Sequence, residues 1–229
     1  MRTGILWMAR NEWMKEHLPT LPFAQRAVRR FMPGEQVEDA IVAADRLDGE
    51  GFGILLTHLG ENISEKAEAD AVAEHYHDLL DRSAARVADG HRPIEVSVKP
   101  TQLGLDIDEA LCDEHCVVLA KHAEETGTWF WLDMEGSAYT ERTVALYERL
   151  KRNHPRVGIA IQAYLKRSAT DIERLLPLEP AVRLVKGAYD EPAEIAHRDR
   201  TEVDASYLSL AIRLGGAAGK GAARLCLGT

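Results

Sequence analysis

Four short apolar runs of this chain end in side chains that can do chemistry. One closes on Ser97-Val98-Lys99, the next on Leu132-Asp133-Met134-Glu135, and a third on Ile161-Gln162-Ala163-Tyr164. A fourth carries Arg183 near its start and ends in Lys186-Gly187-Ala188-Tyr189. Side chains alternate faces along an extended strand. If Ile94, Val96 and Val98 face one way, then Glu95, Ser97 and Lys99 face the other; Trp131 shares a face with Asp133, and Ala160 with Gln162. Laid side by side, such strands bring a lysine, a carboxylate and a glutamine to one mouth. A polar residue at a single strand end is most often a solvated loop start, but four in succession resist that reading. Lys99 or Lys186 in such a place could also form a Schiff base with a carbonyl substrate, as aldolases do.

The elements that must position these residues alternate. Strands are predicted over Ile54–Thr57, Ile94–Lys99, Trp129–Asp133, Gly158–Gln162, Val182–Lys186 and Ala223–Gly228. Helical spacing of apolar residues predicts helices near Ser64–Asp89, Asp108–Glu125, Ser137–Asn153, Ala169–Leu176 and Val203–Leu214, with Ser64 and Asp108 as N-caps. Repeated strand–helix alternation implies parallel strands with helices packed outside. Ahead of it, Trp13–Met32 and Val37–Asp48 read as helices. The expected organisation is an N-terminal helical segment, 1–50, followed by a single β/α barrel domain, 51–229. An open dinucleotide-binding sheet would need a glycine-rich turn after its first strand, whereas Thr57-His58-Leu59-Gly60-Glu61 has one glycine. Gly215–Gly221 follow a helix, and Lys220 precedes Gly221 rather than Ser or Thr, so they read as a connector and not a P-loop.

Composition narrows the function. A formal charge of −9 over 229 residues disfavours a nucleic-acid partner. No apolar run reaches the roughly 20 residues of a membrane span, and Met1–Lys15 lacks the pattern of a signal peptide. Three cysteines suit a reducing cytoplasm better than a disulfide framework. Cys112, His115 and Cys116 lack an evident fourth ligand, so they read as helix-packing residues and no metal is expected. His75 and His77, two apart on a helix, read as surface residues; Trp129 and Trp131 read as core, and Trp7 and Trp13 as part of a packed helix.

The same strand ends carry a family resemblance. Ser97-Val98-Lys99-Pro100-Thr101-Gln102-Leu103-Gly104, Asp133-Met134-Glu135, Gln162-Ala163-Tyr164-Leu165-Lys166-Arg167 and Arg183-Leu184-Val185-Lys186-Gly187-Ala188-Tyr189 with Glu191-Pro192 resemble successive motifs of the proline dehydrogenases. Thr57–Glu61 and Val203–Tyr207 resemble weaker segments, in the same order, over roughly Phe31 to Thr229. The resemblance implies a β/α (TIM-like) barrel with FAD across its mouth, and oxidation of L-proline to Δ1-pyrroline-5-carboxylate. Electrons would pass to a quinone, from a cytoplasmic protein in peripheral contact with the inner membrane. It implies that Lys99 pairs with the proline carboxylate and Asp133 holds Lys99. Gln162 and Arg183 would meet the flavin ring, and Val185, Lys186 and Gly187 would line it. Arg200 would lie near the adenosine, while Ala188 and Tyr189 would belong to the substrate pocket, Tyr189 with a catalytic role. Family members continue past Gly228-Thr229 through two further strands and an arginine-bearing helix. The expectation is therefore an incomplete barrel of six strands, with an inactive fragment as the alternative to an intact enzyme.

Overall fold

A computed structural model of the chain describes residues 34, 36–60 and 63–228. The predicted helix over 13–32, Trp7, Trp13, Glu61 and Thr229 lie outside them. The chain divides into two compact units, Met1–Phe52 and Gly53–Thr229. In the first, α1 (Val37–Gly49) occupies the predicted span and carries Glu38 and Asp39 in its first turn and Arg46 in its last, the polarity that suits the helix dipole.

Among the described residues the second unit holds six strands: β1 (Ile54–Thr57), β2 (Ile94–Val98), β3 (Phe130–Leu132), β4 (Val157–Gln162), β5 (Ala181–Val185) and β6 (Arg224–Leu227). Between them run α2 (Lys66–Ala88), α3 (Glu109–Glu125), α4 (Ser137–Lys151), α5 (Ser168–Leu175) and α6 (Arg200–Ala218). The strands lie in sequence order, each parallel to the next. The sheet is curled. Flat, it would separate β2 from β6 by about 19 Å, four strand spacings. Yet Arg224 Nη2 of β6 stands 2.6 Å from Glu95 Oε1 of β2. This is the expected incomplete α/β barrel, its strands and outer helices foreseen from the alternation and its incompleteness from the family resemblance.

The alternation also decides what faces where. Ile94, Val96 and Val98 are fully buried on the helix-facing side, where the Tyr76 hydroxyl of α2 donates to Ser97 O at 2.8 Å. On the concave side, Glu95 contacts Trp131 and Arg224, and Ser97, Asp133 and Arg183 contact one another. Small residues make this reach possible. Gly158 pairs in register with Trp131, and a Cβ there would lie 2.3 Å from the indole. Ala160 pairs with Arg183, and one step beyond the Leu132–Ile159 pair it also stands level with Asp133.

Asp108 caps α3 as expected, its carboxylate accepting from Ala110 N. Three expectations need correction. The N-cap of α2 is Glu65, in extended conformation, which leaves Ser64 one residue outside the helix. Helix α6 begins at Arg200 rather than Val203, because Asp199 accepts from the Thr201 and Glu202 amides. It also runs through Gly215 and Gly216, which were read as connector, since burial of Leu210 and Leu214 holds that turn against the cost of glycine.

Candidate active site

The C-terminal ends of the strands carry the chemical groups, the end at which barrel enzymes build their sites. Asp133 follows β3 and its N–H donates to Val98 O at 2.8 Å, so the register continues past the last paired residues, Val98 and Leu132, to set Asp133 beside Lys99. Asp133 Oδ1 accepts from the Ser97 hydroxyl at 2.5 Å and from the Arg183 guanidinium, which also donates to Ser97 Oγ at 3.2 Å. Arg183 reaches over Ala160 to do so. Three strands thus contribute to one half-buried cluster of a hydroxyl, a carboxylate and an arginine. Lys99 is half-buried at the same end, its N–H donating to Gln102 Oε1 at 3.5 Å. Gln102 Nε2 in turn donates to His58 O and Gly60 O, tying the turn after β1 to the turn after β2.

Gln162 ends β4. Its Nε2 donates to Met134 O and Glu135 O at 3.2 and 3.3 Å, while its buried Oε1 has no partner among the described residues. A buried acceptor without a donor costs roughly 1–3 kcal/mol, so the amide oxygen is set for a ligand N–H. Glu135 is itself buried, its carboxylate accepting from the Thr101 N–H and hydroxyl.

After β5 the chain turns sharply at Gly187, whose φ of +109° favours glycine. A Cβ there would also lie 2.3 Å from the Tyr164 ring. The missing Cβ lets the Tyr164 ring pack directly against this turn. Burial pushes the Tyr164 hydroxyl up to about 12, the Glu191 charge adding to it against the Tyr189 backbone. Lys186 Nζ pairs with Asp204 at 2.6 Å, and the pairing holds the Asp204 carboxyl below its ordinary value. That ion pair leaves Lys186 poorly placed as an amine nucleophile. Arg200 is largely exposed on the first turn of α6, 4.0 Å from Asp204. Val185 is half-buried, and Ala188 is exposed beside the half-buried Tyr189.

Ser97 and Glu135 stand at the strand ends that the sequence points to, but the bonds of Ser97 to Asp133 and Arg183, and of Glu135 to Thr101, were not foreseen. The parity of Ser97 with Lys99 was a usable signal; the partners of Glu135 were not, because they come from a turn. His75 and His77 correct the surface assignment. Both are half-buried, His75 with its ring 4.9 Å from His58 and His77 Nδ1 2.7 Å from His122 Nδ1. Cys112 and Cys116 are buried in the packing of α3. No described helix is long and apolar enough to cross a membrane.

Comparison with known proteins bears on the family and the fold. The family model for proline dehydrogenase matches residues 40–213. The chain is 35% identical over 182 residues to proline dehydrogenase 1 of Bacillus subtilis subsp. natto, covering 80% of this chain and 59% of that protein. It is 35% identical over 187 residues to proline dehydrogenase of Deinococcus radiodurans, covering 79% and 59%. The chain therefore spans about three-fifths of the length of these relatives. In fold it is similar to the crystal structure of proline utilization A from Bdellovibrio bacteriovorus, with a TM-score of 0.77 and 22% identity, covering 86% of this chain and 25% of that one. The chain belongs to the proline dehydrogenase family.

Proposed function

We propose that this chain supplies the flavin and proline site of an FAD-dependent proline dehydrogenase, which oxidises L-proline to Δ1-pyrroline-5-carboxylate. The observation that carries the reading is the juxtaposition, at one end of a curled parallel sheet, of the Ser97–Asp133–Arg183 cluster with the partnerless Gln162 Oε1. The residues fit a flavin: a buried amide acceptor for a ring N–H and an arginine for negative charge. Val185 and Lys186 would line the cofactor, and Arg200 would reach its adenosine side. Bound there, the flavin supplies a two-electron acceptor for hydride from the substrate.

The chain's own residues orient and neutralise. Lys99 binds the proline carboxylate, and Asp133, next to it by register, holds the ammonium in place. Arg183 keeps a fixed positive charge at the mouth, which costs no reorganisation as negative charge develops. Ala188 and Tyr189 close the substrate side and exclude water. A quinone takes the electrons onward, which brings the cytoplasmic protein to the inner membrane surface.

The test is proline-dependent dye reduction with Lys99→Ala beside the parent enzyme. Loss of the charged pairing should lower kcat/KM by about 2–4 kcal/mol with flavin content retained. Loss of flavin with unchanged proline kinetics in the remaining holoenzyme would reassign Lys99. Trapping of a carbonyl substrate on Lys99 by borohydride would replace the oxidase reading with a lyase.

A further inference from the structure

The connection from β5 to α6 is a long arch that carries Tyr189, which the proposed site sets against the substrate. Its two feet are fixed to the segment after β4. Tyr164 N donates to Lys186 O at 2.9 Å at one foot, and Lys166 N to Ile195 O and His197 N to Tyr164 O at the other. Lys166 Nζ adds a bond to Ala193 O at 2.7 Å. Neither foot reaches the Asp133 side of the mouth. Glu191 does. Its Oε1 accepts from Ser137 N at 2.7 Å and its Oε2 from the Ser137 hydroxyl at 2.5 Å, at the N-terminus of α4. A carboxylate suits that place, because the first amides of a helix lack internal partners and carry partial positive charge.

The seat of this latch is Gly136. A Cβ on Gly136 would lie 3.6 Å from Glu191 Oε1 and 4.0 Å from Tyr189 Cδ1, so the carboxylate and the Tyr189 ring sit side by side over one bare backbone position. Gly136 follows Glu135 and Asp133, so the latch fastens the Tyr189 arch to the segment that supplies the Asp133 carboxylate. We infer that Glu191, through Ser137, is a positioning residue that sets the Tyr189 ring against the substrate, and so governs proline binding without touching proline. The inference rests on the proposed proline site. It follows that Glu191 acts only through Tyr189. Its removal should raise KM far more than it lowers kcat, and should do nothing further once the Tyr189 ring is gone.

The test is a double-mutant cycle in the flavin-loaded enzyme containing the full chain, with Glu191→Gln, Tyr189→Ala and both, read by proline kinetics and by amide hydrogen exchange. Glu191→Gln should raise KM roughly five- to tenfold with kcat within about twofold, and should have no added effect beside Tyr189→Ala. Exchange should quicken at residues 188–191 and stay slow at 195–197. Ser137→Thr, which keeps both donors, should retain the parent KM, whereas Ser137→Ala should move toward Glu191→Gln. Equal effects of Glu191→Gln in the parent and in the Tyr189→Ala variant would overturn the inference, as would quickened exchange with unchanged KM. Failure of the parent enzyme to oxidise proline would instead remove the function on which it rests.

Discussion

The concave face of the sheet carries two polar layers of similar make. Towards the N-terminal ends of the strands, Glu95 of β2 accepts from Trp131 Nε1 and from Arg224 Nη2, both at 2.6 Å, and the Arg224 guanidinium stacks 4.3 Å from the Trp129 ring. Towards the C-terminal ends, Asp133 accepts from Ser97 and Arg183. Each layer has one carboxylate, one arginine and one further donor, with small residues in the gap. The lower layer stacks Arg224 on the indoles of Trp129 and Trp131 and pairs it with its own carboxylate, filling the sheet, although Arg224 Nη1 has no hydrogen-bond partner among the described residues. Among the described residues the upper layer has no aromatic cover of that kind, and it lies beside a buried amide oxygen without a donor. The same residue types therefore make a core in one place and a site in the other, and position along the strand decides which.

The comparison breaks most sharply at the two carboxylates. Asp133→Asn should lower kcat/KM for proline by about 3–4 kcal/mol while leaving the melting temperature nearly unchanged. A lost fold with intact turnover in the surviving fraction would merge the two layers into one structural cluster. Next in size is Gly187→Ala. The new methyl meets the Tyr164 ring at an unfavourable φ, so destabilisation of about 2–3 kcal/mol and reduced flavin content are expected in denaturant titration and absorbance. The lower layer should answer in stability rather than in turnover. Glu95→Gln is expected to cost about 1–2 kcal/mol of stability in urea melts, with kcat and KM for proline unchanged.

The smallest expected effect concerns the helices outside the sheet. Burial first, then the charge of His58 or His122, pulls His75 and His77 below their ordinary value. Both bind a proton less readily when folded, so the unfolded chain takes up more protons as the pH falls. Their contribution to stability is thus present above about pH 6.5 and lost as the pH drops through their lowered folded values. Melting temperatures followed from neutral to mildly acidic pH should decline, and His77→Gln should flatten the decline. An unchanged slope in that variant would show that other groups carry it.

Much of this was legible in the sequence. Alternation placed β1 without error and the other strands within about a residue at each end, because buried parallel strands are short apolar runs between turns. The strand-end residues emerged from the same parity. What stayed hidden depends on contacts between segments far apart in the chain. Arg183 meets Asp133 only because the sheet curls and Ala160 leaves room, and Tyr164 explains Gly187 only once both turns are folded. The histidines failed for the same reason. His77 looks solvated on its own helix and is covered by His122 of the next.

The most direct measurement is the absorbance spectrum of the purified enzyme containing this chain, recorded without oxygen before and after L-proline is added. The account expects a flavin band that bleaches on addition of proline in the parent and in Glu95→Gln, and that is present but persists in Asp133→Asn. A preparation without flavin, or a flavin band indifferent to proline in the parent enzyme, would contradict it.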